Sequence, residues 1–200
     1  SLVIAGIVSA VIFGGIHWIS KVSEKVVPFM VAAYIFATVY IIVLNMDQVP
    51  TVLSQVFQGA FTGTAAIGGF SGALVKEAIQ KGVARGVFSN ESGLGSAPIA
   101  AAAAKTEEAV EQGLISMTGT FIDTIIICSL TGLAILVSGQ WTTVGQVGSD
   151  LTQQVFISTF GHIGGIILTL CLVLFATTTI LGWSYYGERC VEFLAGVKLI

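Results

Sequence analysis

Between Gly113 and Val137 the chain reads GLISMTGTFIDTIIICSLTGLAILV, an uninterrupted apolar run with a single charge, Asp123. A bilayer's hydrocarbon core asks for ~20 consecutive apolar residues in a helix. Inside that core every backbone polar group must be paired within the segment, so the run can only be a membrane helix. Comparable apolar stretches cover residues 2–19, 26–44, 55–79 and 163–186. The expected fold is therefore all-α: a polytopic membrane protein of about five spans, one transmembrane domain over 1–200, seated in the cell membrane with the lipid bilayer as its partner. Composition agrees, with 10% charged and 54% apolar residues and a mean hydropathy of +0.94, against about 25% charged residues in soluble chains.

Several function classes fall away. No basic cluster exists to hold nucleic acid. The three cysteines, Cys128, Cys171 and Cys190, show no CxxC spacing and are odd in number, which reads as buried thiols rather than a disulfide framework. The chain begins inside an apolar run without Met or a charged leader, so an internal piece of a longer polypeptide is expected. The remainder of that polypeptide is then a partner.

The links between spans carry the organisation. SKVSEK (20–25) separates the first two spans, and Pro28 sits where a helix's first turn tolerates it. A turn at 45–50 precedes a short amphipathic helix at 52–61. The segment 55–79 reads as a broken helix, with GGFSG (68–72) as its unwound centre. The longest polar interruption is GVARGVFSNESGLGSAPIAAAAAKT, within a loop spanning 82–112. Its Ser, Asn and Gly residues bond their own main chain or tolerate positive φ, so the backbone there is irregular. Connector 138–150 leads to a surface helix at 151–160. All eight Lys and Arg fall on one side of the alternating spans, while the opposite loops with Asp47 and Asp150 carry none. The positive-inside rule then makes 82–112 cytoplasmic.

Four places can carry chemistry. Asp123 is an ionisable group inside a span, costly and so a functional candidate, unless Thr120 and Thr124 merely satisfy it. Thr177, Thr178 and Thr179 supply the oxygen ligands a hard cation wants, with Trp183 one turn on from Thr179; the competing reading is that these hydroxyls bond their own i−4 carbonyls. The GGFSG break exposes backbone groups at membrane depth, as broken transporter helices do, or else Gly68 and Gly72 serve close helix packing. Gly69–Phe70–Ser71–Gly72 also matches GxSG, and with His162 gives the serine–histidine pair of intramembrane proteases such as the rhomboids. In the polar loop, Asn90 and Glu91 sit in a tight turn, where Glu91 can pair with Arg85 as a gate or a structural clamp.

GVARGVFSNESGLGSAPIAAAAAKT, QGLISMTGTFIDTIIICSLTGLAIL and LFATTTILGWSYYGERC together resemble the alanine or glycine:cation symporter family, sodium-coupled carriers of bacteria and archaea. The family usually shows SNEAGLGSAP, so Ser92 is a departure, and it often has His where Ala101 or Ala102 stands. The resemblance implies a five-plus-five inverted-repeat (LeuT-like) fold, of which this chain is a fragment holding the fourth to eighth core helices. It implies that GGFSG is the discontinuous sixth helix, with Phe70, Gly69, Ser71 and Trp183 at the substrate. It also implies a sodium site on the eighth helix using Thr179, Thr178 or Thr177. Asp123, Asn90, Glu91 and Arg85 are then gating or structural. The expected function is Na⁺-coupled import of a small neutral amino acid, with sodium as coupling ion and no enzymatic step.

Overall fold

The computed structural model describes residues 2–61, 71–106, 108–142 and 148–196. Among them every regular element is helical: α1 (Leu2–Ile12), α2 (Gly15–Leu44), α3 (Val49–Phe61), α4 (Ser71–Phe88), α5 (Glu91–Leu94), α6 (Ala97–Ala101), α7 (Ala109–Thr120), α8 (Ser129–Val137), α9 (Ser149–Phe160) and α10 (His162–Ala195). Between α7 and α8 the helix does not stop; it widens to a π-helix over Phe121–Cys128. Among the described residues, three helical stretches are long and apolar enough to cross a membrane: Gly15–Leu44, Ala109–Val137 and His162–Ala195.

The first break lies elsewhere than hydropathy alone suggests. The segment 20–25 is helical within α2, and the interruption falls at residues 13–14. Lys21, Glu24 and Lys25 are good helix formers, so their polarity does not end a helix. The chain instead closes α1 with Phe13 N–H to the Ser9 carbonyl (3.0 Å) and Gly14 N–H to that of Val11 (3.1 Å). Gly15 then takes a φ of +67°, a left-handed turn that costs a residue without Cβ little. Trp18 folds back over Gly14, where a Cβ would meet its ring. Pro28 lies inside α2 rather than at its start; it removes one backbone donor, and the helix continues past it. The short helix anticipated at 52–61 starts at Val49, and Pro50 occupies its first turn. The centre of the anticipated 55–79 break lies outside the described residues, between α3 and α4.

The chain divides into two compact units, Ser1–Ala37 with Phe156–Ile200, and Thr38–Val155. In the first, Tyr34 stacks on Phe156 at 6.1 Å and meets Phe175 edge-on at 5.6 Å. Leu168 and Leu181 are buried with them. In the second, α3 packs on α8, and Val52, Ala134 and Val137 are buried. Many large apolar side chains of the long helices, such as Phe36, Ile125 and Leu170, stay exposed, as lipid-facing residues do.

Candidate functional site

The site is built where the polar loop meets the π-helix, both within the second unit. The loop folds from its own residues first. After Phe88, Asn90 is extended (φ −138°, ψ 160°) and caps α5, its Oδ1 accepting from Gly93 N–H at 2.8 Å. Capping explains why the chain restarts a helix here, since the first N–H groups of a helix need outside acceptors. Gly95 then terminates α5 in the left-handed region at φ +78°. Ser96, buried, donates its hydroxyl to the Glu91 carboxylate and its N–H to the Glu91 carbonyl. Pro98 sits in the first turn of α6. A Cβ on Gly93 would collide with the backbone carbonyl of Val87, so α5 lies main chain to main chain on the end of α4.

The π-helix coincides with a cluster of β-branched residues. FIDTIIIC concentrates β-branched residues (Ile122, Thr124, Ile125, Ile126 and Ile127), which crowd the preceding turn of an α-helix. Wide turns of this kind are uncommon and gather at functional sites.

Three contacts join the two elements. Ser89 Oγ donates to Asp123 Oδ2 at 2.9 Å. Asn90 Nδ2 donates to Thr124 Oγ1 at 2.9 Å. Ser92 Oγ lies 2.9 Å from Thr120 Oγ1, which itself donates to the Ser116 carbonyl at 3.2 Å; Ser92 is therefore the donor. A fourth group joins at Ser89, whose Oγ is 3.2 Å from Cys128 Sγ. With the Ser89 proton on Asp123, the thiol is the donor to Ser89.

Asp123 is thus satisfied by the loop and not by its helical neighbours, as the one-dimensional pattern suggested. Thr120 and Thr124 point instead to Ser92 and Asn90, because those donors arrive in the same docking. Glu91 takes Ser96 as its partner, and the side chain of Arg85 lies outside the description. Cys171 is buried, whereas Cys128 and Cys190 are exposed. Sequence reasoning missed Ser89 and Ser92. The signal was present, since a carboxylate in a membrane helix demands a donor and SNES offers three donor side chains in four residues.

Of the sites on α10, each threonine hydroxyl donates to its own helix. Thr177 reaches the Val173 carbonyl (2.7 Å), Thr179 that of Phe175 (2.8 Å), and Thr178 shares those of Leu174 and Phe175 (3.1 and 3.0 Å). This fixes the rotamers while leaving the oxygen lone pairs outward, on an unbroken helix with Trp183 one turn beyond Thr179. Trp183 is half exposed and meets Tyr186 edge-on at 5.8 Å. Below them Arg189 lies 5.2 Å from the buried Tyr185 ring and pairs with Glu188 (2.7 Å) and Glu192. Gly69 and Phe70 lie outside the described residues. Ser71 opens α4, its side chain undescribed, and His162 opens α10, exposed.

Comparison with known proteins places this geometry. The sodium:alanine symporter family model matches residues 1–200. An "uncharacterized transporter" of Haemophilus influenzae is 49% identical over 99% of this chain and 44% of its own length. The sodium/alanine symporter AgcS of Methanococcus maripaludis is 48% identical over 98% of the chain and 43% of its own. The probable sodium/glutamine symporter GlnT of Bacillus subtilis is 39% identical over 96% and 40%. The chain spans about two fifths of the length of these relatives. All three are named as transporters or symporters, and nothing among them supports a peptidase built on Ser71 and His162. With three helices able to cross a bilayer, the chain is part of a multi-pass protein of the cell membrane. It belongs to the sodium:alanine symporter family.

Proposed function

We propose that the full-length protein is a Na⁺-coupled symporter that imports a small neutral amino acid, alanine or glycine, by alternating access. The family match over the whole chain carries this reading. No covalent step is needed, because the work is done by differential binding to two conformations. In a five-plus-five inverted-repeat arrangement, 68–72 would be an unwound helix centre whose ends meet the charged groups of the amino acid. Gly69, Phe70, Ser71 and Trp183 would wall the substrate. Thr179, with Thr178 or Thr177, would offer hydroxyl oxygens to Na⁺, a use compatible with lone pairs left outward by hydroxyls already donating within α10.

The energetics suffice with one ion. A tenfold Na⁺ gradient is worth about 1.4 kcal/mol, and a 100 mV potential adds about 2.3 kcal/mol per charge. Their sum, ~3.7 kcal/mol, sustains roughly 500-fold accumulation of a neutral substrate. Coupling also has to be reciprocal: whatever factor Na⁺ adds to amino acid affinity, the amino acid adds to Na⁺ affinity.

The deciding experiment is uptake of radiolabelled alanine and glycine by proteoliposomes holding the full-length protein, with and without an inward Na⁺ gradient. Accumulation that requires the gradient is expected, and Ser71→Ala should alter it only modestly. Uptake indifferent to Na⁺ would point to another coupling ion. Absence of uptake for both amino acids would remove the substrate assignment.

A further inference from the structure

The loop segment from Ser89 to Ser96 has the construction of a clip. Its internal bonds, Gly93 N–H to Asn90 Oδ1, Ser96 to Glu91 and the main-chain contact of Gly93 with Val87, need nothing outside residues 87–96. Its external bonds, to Thr120, Asp123, Thr124 and Cys128, are all side chain to side chain. A body held together by its own bonds and joined to its neighbour only by side-chain contacts can leave as a unit.

What release costs is unevenly distributed. Thr120 already bonds the Ser116 carbonyl, so losing Ser92 leaves its proton placed. Thr124 can turn to its own helix in the same way. Asp123 has no such recourse, because a carboxylate only accepts and its described partner is Ser89. Undocked, it must be wetted or neutralised, since an unpartnered charge in an apolar helix is expensive. Departure of the clip is therefore tied to entry of water or a cation at the π-helix. The wide turn itself supplies a second arrangement, because a helix widened over Phe121–Cys128 can tighten again when its side-chain partners leave.

We propose that the Ser89–Ser96 clip is a latch that docks on and releases from the π-helix, with the Ser89–Asp123 hydrogen bond as its catch, and that the transport cycle requires its release. The part concerning transport rests on the symport reading; the docking and release do not.

Ser89 Oγ and Cys128 Sγ are close enough for a covalent test. In the full-length protein with its other cysteines replaced, Ser89→Cys sets a second thiol against Cys128, and catalysed oxidation should join them. Mass spectrometry identifies the linked peptides. The expected result is at least a tenfold fall in the initial rate of Na⁺-driven alanine uptake on oxidation, restored by a thiol reductant. A mapped crosslink that leaves uptake at the rate of the reduced protein overturns the proposal, as does failure of the two thiols to join while both remain open to alkylation. If reduced Ser89→Cys shows no Na⁺-driven uptake although wild type does, Ser89→Ala gives an independent reading through alkylation of Cys128 by a maleimide. Removing the catch should speed that reaction at least threefold, and an unchanged rate overturns the latch. Absence of uptake in wild type would sink the symport reading alone, while Cys128 alkylation would still decide the docking.

Discussion

Asp123 and Thr179 are both polar groups in apolar helices, and they are satisfied in opposite ways. Thr179 is self-sufficient, its hydroxyl donating to the Phe175 carbonyl four residues back at 2.8 Å. Asp123 depends on Ser89, 34 positions away. Self-sufficiency makes Thr179 replaceable structurally, which gives a clean test of the proposed Na⁺ site. Valine keeps its shape, so Thr179→Val should leave folding and insertion intact. It should also raise the Na⁺ concentration for half-maximal uptake about tenfold, the ~1.4 kcal/mol expected of one lost ligand. Unchanged Na⁺ dependence would move the cation site to another residue. The same contrast decides what was legible beforehand. A carboxylate in an apolar run announces itself, and so do three consecutive threonines at helical spacing. Asp123's partner does not, because nothing in a local window says which loop returns to meet it, and the nearest hydroxyls, Thr120 and Thr124, instead accept from Ser92 and Asn90.

At the scale of elements, the junction of α4 and α5 is the most exacting. Gly93→Ala would drive a methyl group into the Val87 carbonyl, and neither partner is a flexible side-chain tip. The cost should be about 1–3 kcal/mol, read as a lowered thermal midpoint in detergent and a clip that no longer seats on the π-helix. Gly86→Ala, seven positions earlier in α4 with open space around its Cβ, is the control and should leave the midpoint unchanged or slightly raised, since Ala is the better helix former. Equal effects at the two positions would show that the close approach is unimportant. Hydropathy located the long helices but misplaced the first break. Polarity at 20–25 signals where a helix leaves lipid, not where it ends, and the ending is set by backbone conformation at Gly15. The π-helix was invisible because β-branched residues are unremarkable in a membrane span, and the same residue types at 39–43 stay in a regular α-helix.

Across the whole molecule, the cations supply a sidedness that the helices alone do not. If every Lys and Arg is cytoplasmic, a single cysteine at Lys105 should react with an impermeant maleimide only from the inside. One at Gln48 should react only from the outside. Labelling of both from one face would overturn the orientation and with it the cytoplasmic placing of the clip. The clip also has a history within the molecule. Its own bonds lie within residues 87–96, whereas its partners on the π-helix follow 28 to 39 positions later. At ~5–20 residues per second a ribosome needs a few seconds to cover that interval. Every residue of the clip is therefore added to the chain before the carboxylate that Ser89 will serve, so Asp123 is the later-arriving partner of its own hydrogen bond.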